Sequence, residues 1–315
     1  LAPADTADDE DNAVYVAILG SDARSGDTVS RSDVVTLVRI DETAGVVDLI
    51  SIPRDTMVNI EGQGTQKINA AYSFGGASGA VSCISEFAGV PINHYVEVRT
   101  VSQFAGVDIS HYAEVHFDEL ETVVDKLGGI WVDIPESFSA GNGGMSFTEG
   151  TQRLNGEQAL AFARERYNVS GGDFGRAQAQ RLIIMGIVNE VLASSPATLP
   201  GLVGDLAQCI STDYSVSDLV HLAIQFQQNG LTMYSAACPS YSLNVDGISY
   251  VGTEYAEWRE MMQRVDAGLD PNDTSAVIPD EQAKNESLGA ATNGASPRDY
   301  EQLAANAGLT TDDVA

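Results

Sequence analysis

Positive charge is what this 315-residue chain lacks. Sixteen Lys and Arg stand against 45 Asp and Glu, a formal net charge of -29. With no basic face to neutralise the phosphates of a duplex, general nucleic-acid binding is excluded, and the protein as a whole is repelled by anionic surfaces. Lysine is scarcest: Lys67, Lys126 and Lys284 are the only ones, and the other 13 cations are arginines. The three cysteines, Cys83, Cys209 and Cys238, show no CxxC spacing, which argues against a metal site built from them. No window approaches the ~20 apolar residues of a membrane-spanning helix. The chain begins at Leu1 without a Met, which leaves room for a leader or anchor cut away from the full gene product.

Against that background the few cations cluster. Ala163–Arg181 reads ARERYNVSGGDFGRAQAQR and holds Arg164, Arg166, Arg176 and Arg181. One reading is a salt-bridged surface segment. The other is an anion site, in which planar guanidinium forks match phosphate or carboxylate oxygens.

The length suffices for one large core or two modest domains. Residues 1–12 are small and acidic and read as a flexible lead-in. Short apolar runs at Val14–Leu19, Val34–Ile40, Val46–Ile52, Ile130–Ile134 and Leu231–Ala237 predict strands. Helical patterns fall at Lys67–Tyr72, Ala77–Phe87, Phe117–Leu127, Asn155–Phe162, Phe174–Leu192, Leu202–Ile210, Val216–Gln228 and Glu254–Ala267. Gly75-Gly76 breaks the first pair, Asn155 with Gln158 forms a capping box, and Asp173 can cap the helix that follows it. Composition turns to Asn, Ser, Gly, Pro and Asp at 269–295, a linker, and Ser296-Pro297 starts a short helix in a tail, 296–315. FAGVPINHYVEV (Phe87–Val98) is echoed by FAGVDISHYAEV (Phe104–Val115), a tandem duplication with a period of 17 residues in which each HYxEV core is a candidate strand.

Arg24, Arg31, Arg54, Lys67, Arg164, Arg166, Arg176 and Arg181 all lie at strand ends, loops or helix starts, where an α/β sheet forms its ligand crevice. An extended Ala163–Tyr167 would point Arg164 and Arg166 to one face. On the next helix Arg176 and Gln180 share a face near the N-terminus, where free N–H groups favour an anion. Asp22 and Asp33 stand among these cations, each beside a strand end. Carboxylates in an arginine-rich anion site suit a hard cation such as Mg²⁺; turn-making and salt bridging are the plainer reading.

Six motifs then occur in order: LGSDAR (Leu19–Arg24), RSDVVTL (Arg31–Leu37), SIPRDT (Ser51–Thr56), KINAAY (Lys67–Tyr72), LNGEQALAFARER (Leu154–Arg166) and GDFGRAQAQR (Gly172–Arg181). In these the chain resembles the LytR-CpsA-Psr (LCP) family, with an actinobacterial source. The resemblance implies a single α/β catalytic domain over 13–268, with a central mixed β-sheet flanked by helices and a hydrophobic pocket for a lipid tail. Val35, Leu37, Ile50, Phe162, Leu182 and Ile183 are candidates to line that pocket.

It implies an enzyme of the outer face of the cell membrane, tethered by an N-terminal helix. Such enzymes transfer a glycopolymer from a polyprenyl-pyrophosphate carrier to peptidoglycan or a surface-protein acceptor. Carried over by position, Asp22 and Asp33 are Mg²⁺-site acids, and Arg54, Asp22, Asp33 and Arg164 are catalytic. Arg24, Arg31, Lys67, Arg166, Arg176, Gln180 and Arg181 bind pyrophosphate, with Arg181 the least well placed, since it lies off the Arg176–Gln180 face. One copy of the duplication is an insertion relative to the family, and export suits a Cys83–Cys238 disulfide with Cys209 free. A polyprenyl-pyrophosphate phosphohydrolase is the alternative activity, and a non-catalytic lipid-pyrophosphate binding protein an alternative class. A transcriptional regulator has little support in so acidic a chain without a basic recognition helix.

Overall fold

Strands buried on both faces read as continuous apolar runs, and the first three runs form them in a computed structural model that describes residues 13–21, 32–60, 62–92, 94–98, 117–141, 144–209, 211–212 and 214–289. In chain order they are β1 (Ala13–Ser21), β2 (Ser32–Asp41) and β3 (Val46–Ser51). Then come β4 (Met57–Ile60), β5 (Gly64–Lys67), α1 (Ala70–Ala88), β6 (His94–Val98), α2 (Phe117–Lys126) and β7 (Ile130–Ile134). The short pair β8 (Phe138–Ser139) and β9 (Ser146–Phe147) precedes β10 (Gly150–Leu154), α3 (Gly156–Arg164), α4 (Asp173–Leu192) and α5 (Leu199–Ala207). The chain continues with β11 (Ser211–Thr212), α6 (Val216–Asn229), β12 (Thr232–Ala237), β13 (Ser240–Val245), β14 (Ile248–Thr253), α7 (Tyr255–Asp266) and α8 (Asp280–Lys284).

Six strands make the central sheet, in the order β11-β6-β1-β2-β3-β12. It is mixed: β1 runs parallel to β6 and β3 to β12, while β1–β2, β2–β3 and β6–β11 are antiparallel. The first HYxEV copy is thus strand β6, as its pattern predicts; the second lies outside the described residues.

Alternation along β2 divides the protein into two layers of packing. Val35 and Leu37, with Ile50 of β3, face α1 and α7, and pack there with Ile84, Phe87, Trp258 and Met262. Val38, with Val16 and Leu49, faces the opposite side, where α4 lies. Truncating a side chain such as Leu37, which is fully buried, would cost about 2–5 kcal/mol. Two helix starts carry the caps that their sequence offers, whereas Asp173 is the first residue of α4 and not its cap, which falls at Gly172 without a side-chain bond. Asn155 and Gln158 form a reciprocal capping box on α3, and Ser215 and Asp218 do the same on α6. α1 is one element kinked at Gly76, whose φ of 61° suits only glycine.

Segment 269–289, polar enough to read as linker, lies against the domain. Leu288 is buried in the main core, Gly289 N–H donates to Ala88 O (2.8 Å), and Asn272 Nδ2 donates to Ser235 O (3.2 Å). A side chain at Gly89 would meet Ser287 O at 1.5 Å, so the tail crosses where only glycine lets it approach.

The disulfide expectation is corrected. All three cysteines are buried thiols, and no disulfide joins them. Cys83 and Cys238 do share the main core, but as small apolar side chains, and burial pushes the Cys238 thiol far above its usual range while it donates to Pro239 O (3.8 Å). Among the described residues no helix is long and apolar enough to cross a membrane.

Candidate functional site

Arg54 sits in a tight turn directly after β3. Pro53 fixes the entry, and Thr56 closes it through N–H (3.0 Å) and Oγ1 (2.6 Å) donation to Pro53 O. The turn is braced from two sides: Asn69 N–H donates to Arg54 O (3.1 Å) and Val251 N–H to Asp55 O (2.9 Å). A guanidinium held on such a frame loses little further freedom when it binds an anion.

The facing wall is the α3–α4 connection. Arg164 ends α3, so Arg164 and Arg166 do not alternate along a strand. Glu165 follows as the C-cap residue, already extended. Its buried carboxylate accepts from the N–H groups of Arg166 (2.9 Å), Tyr167 (2.8 Å) and Asn168 (3.1 Å) through Oε1, and from Gly141 (2.7 Å) through Oε2. Burial alone would raise its pKa, but these backbone donors win and hold it down to about 2. The loop then turns through Gly171 (φ 77°) and Gly172 (φ 55°) into α4.

Asp173 is the first residue of α4 and the centre of the site. Its Oδ1 lies 2.9 Å from Arg176 Nη2 and 3.5 Å from Arg166 Nε, and its Oδ2 lies 3.4 Å from Arg54 Nε. Three guanidiniums from three chain segments therefore converge on one carboxylate, leaving two net positive charges at a helix N-terminus. These residues line a small pocket of about 80 Å³ with Thr36, Ser51, Asp55, Phe174 and Gln180, its remaining wall apolar; the charged groups make it the polar pocket of the site.

Behind it lies a much larger apolar cavity of about 420 Å³. Its floor is one face of the sheet, including Val16, Val38 and Leu49, and its roof comes from α4, α5 and α6, including Ile184, Val203 and Phe226. Val34 and Gln180 line both spaces. One face of α4 runs from Arg176 through Gln180 to Ile184, Ile187 and Val191, from charge to hydrocarbon.

Of the residues singled out in the sequence, Arg54, Arg166, Arg176 and Gln180 come together in the polar pocket. Lys67 lies beside it in β5, its Nζ 3.2 Å from Asp55 Oδ1 and 5.9 Å from the Tyr250 ring centroid. Arg164 is exposed and lines neither space. Arg181 is buried and spans β3 and β12, donating to Ser51 Oγ and, at 2.8 Å, to Ser235 Oγ; burial lowers its pKa to about 10. Asp22, Arg24 and Arg31 fall outside the described residues. Asp33 lies in β2 next to Val34, and the pairing Ser21–Ser32 places the end of β1 beside it.

Of the six proposed lipid contacts, Ile183 lines the cavity while Val35, Leu37, Ile50, Phe162 and Leu182 do not. The strand residues point to the other face of the sheet, one position out of phase with Val34, Val38, Val47 and Leu49. Phe162 packs on Phe138 and Phe147 instead, with ring centroids 5.9 and 5.8 Å away. Glu165 and Asp173 are the acids that organise these cations; the sequence offers Asp173 only as a helix cap and gives Glu165 no role, although each is a lone carboxylate between arginines.

The LytR_cpsA_psr family model matches residues 2–99 and 96–266, two segments that meet within the stretch that holds the duplication. This chain belongs to the LytR-CpsA-Psr family. It is accordingly a glycopolymer phosphotransferase. Among relatives of this LytR-CpsA-Psr protein, the polyisoprenyl-teichoic acid–peptidoglycan teichoic acid transferase TagU of Enterococcus faecalis is 32% identical over 254 residues, 79% of this chain and 78% of that one. TagU of Bacillus subtilis is 38% identical over 176 residues, 56% of this chain and 51% of its own. The crystal structure of B. subtilis TagV superposes with a TM-score of 0.66 at 26% identity, covering 83% of this chain and 98% of that one. These relatives are Firmicutes proteins and lend no support to an actinobacterial source.

Proposed function

We propose that the protein transfers a glycopolymer from a polyprenyl-pyrophosphate carrier to a hydroxyl of peptidoglycan or of a surface protein, on the outer face of a membrane to which it is tethered. The observation that carries this reading is that a pocket holding three guanidiniums and a larger hydrocarbon-lined cavity adjoin at Val34 and Gln180. A lipid pyrophosphate is itself such a molecule, a dianionic head on a hydrocarbon chain. The TagU relatives, named for moving teichoic acid from a polyisoprenyl carrier to peptidoglycan, support the same class.

In this reading the acceptor oxygen attacks the glycan-side phosphorus. The bond to the bridging oxygen breaks, and polyprenyl phosphate leaves with the electron pair. Charge grows on that oxygen, and Arg54, Arg166 and Arg176, preset on a braced turn and a helix start, stabilise it without reorganising. The acceptor proton passes to Asp22 or Asp33. Those two acids, which stand among the arginine motifs in sequence, are also the donors that would hold Mg²⁺, since carboxylates suit a hard cation and the Asp173 carboxylate is already engaged by guanidiniums. Bound there, the ion would supply further neutralisation of phosphate charge.

The test is transfer from a lipid pyrophosphate-linked glycan to a wall acceptor. Arg54→Ala should lower kcat by about 10²- to 10³-fold. Unchanged turnover would sink the assignment.

A further inference from the structure

Tyr167 is the most exposed large aromatic beside the arginine pocket, at 87% exposure. A single exposed aromatic is ordinary on a protein surface. What sets this one apart is that its backbone is fixed. Its own N–H and those of both neighbours end on the Glu165 carboxylate, with Asn168 Nδ2 donating to the same oxygen at 3.3 Å. Three residues on, Ser170 N–H and Oγ both bind Glu136, the hydroxyl at 2.7 Å. Two acidic clamps thus hold a short loop whose one large projecting ring has no packing of its own to protect.

The ring does have a neighbour. The Arg166 guanidinium carbon lies 5.6 Å from its centroid, and the same guanidinium reaches Asp173 in the pocket. Phe174, 41% exposed, lines the pocket at the other end of the loop. One aromatic ring therefore lines the arginine pocket, and a second, Tyr167, stands against an arginine of its wall.

We infer that Tyr167 is a stacking platform for a pyranose ring, the first sugar attached to the donor pyrophosphate. The inference rests on the proposed function, which puts the lipid in the cavity and the pyrophosphate on the arginines; the first sugar is bonded to that pyrophosphate, within reach of the ring that packs on Arg166. A pyranose offers an apolar C–H face and hydroxyls at its edge, and a rigid tyrosine meets that face at little entropic cost. Arg166 serves both neighbours, as a fork to phosphate on one side and a cation over the ring on the other.

The experiment compares binding of two probes to the whole protein: a bare lipid pyrophosphate and the same lipid carrying one hexose on its pyrophosphate. Tyr167→Ala should weaken the hexose-bearing probe by roughly tenfold and leave the bare probe within about twofold, while Tyr167→Phe and Tyr167→Trp restore affinity. Equal loss of both probes would mean that Tyr167 acts only through Arg166, and overturns the inference. No loss of either overturns it too, as does a change confined to the KM of a glycan acceptor. If the wild-type protein bound neither probe, the proposed function itself would fail.

Discussion

Arg54 Nε and Asp173 Oδ2 lie 3.4 Å apart, although the two residues, in the turn after β3 and at the start of α4, stand 119 positions apart in the chain. The pair ties the two walls of the site together. Asp173 also touches Arg166 and Arg176, so one carboxylate sets the spacing of three guanidiniums.

Asp173→Asn should therefore separate binding from turnover. Loss of the internal anion leaves the arginines more positive, and inorganic pyrophosphate should bind at least as tightly as before. With Arg54 no longer aligned, kcat should fall by about 10- to 100-fold. Calorimetric binding beside a turnover assay reads both numbers. Parallel loss of the two would show that Asp173 merely keeps the site folded.

Glu165 gives the site an acid limit. Its folded pKa, about 2, lies below the ordinary 4.5, so its stabilisation is complete above pH 4.5 and fades as pH falls from there toward 2. Glu165→Gln should lower the thermal midpoint near neutrality, and the gap to wild type should close in that acid window. A gap independent of pH would contradict the role given to its charge.

Asp48 carries the opposite sign. Tyr15, Arg39, Asp48 and Tyr234 form one row across the sheet, at the end remote from Arg54. Burial raises the Asp48 carboxyl to about 7 despite Arg39, with Asp270 and Asp41 adding to the rise. Because the folded pKa exceeds the ordinary 3.8, stability from this group is greatest below about pH 4 and declines as pH rises through 7. Asp48→Asn should be more stable than wild type at pH 8, with the difference shrinking toward pH 4. Denaturant unfolding at the two pH values decides it.

The cavity should be separable from the arginines. Ala223 of α6 lines it, and Ala223→Phe would fill part of the space. Affinity for a long-chain lipid pyrophosphate should drop by about tenfold or more, while inorganic pyrophosphate binds unchanged. Equal affinity for the long chain would place the lipid elsewhere.

How much of this was legible beforehand depended on range. Val34–Ile40 is apolar enough to read as a strand, and Asn155 with Gln158 marks a helix start, because both signals lie within a few residues. That Arg54, Arg166, Arg176 and Gln180 would come together was legible through their ordered motifs. Which face Val35 looks toward was not. A strand buried on both sides shows no alternation of polarity, so its phase is settled only by what packs above and below. The short hairpins β4–β5 and β13–β14 were missed for lack of a long apolar run, as in GTQK of β5. Arg181, one turn beyond Arg176, looks in sequence like another phosphate ligand. Only the three-dimensional placement of Ser51 and Ser235 shows that it braces the sheet.

The most direct measurement is a crystal structure of the protein with a bound lipid pyrophosphate. The account predicts phosphate oxygens within hydrogen-bond distance of Arg54, Arg166 and Arg176, and the hydrocarbon passing Gln180 into the cavity between the sheet and α4–α6. Pyrophosphate bound away from those arginines, or a chain lying outside that cavity, would contradict it.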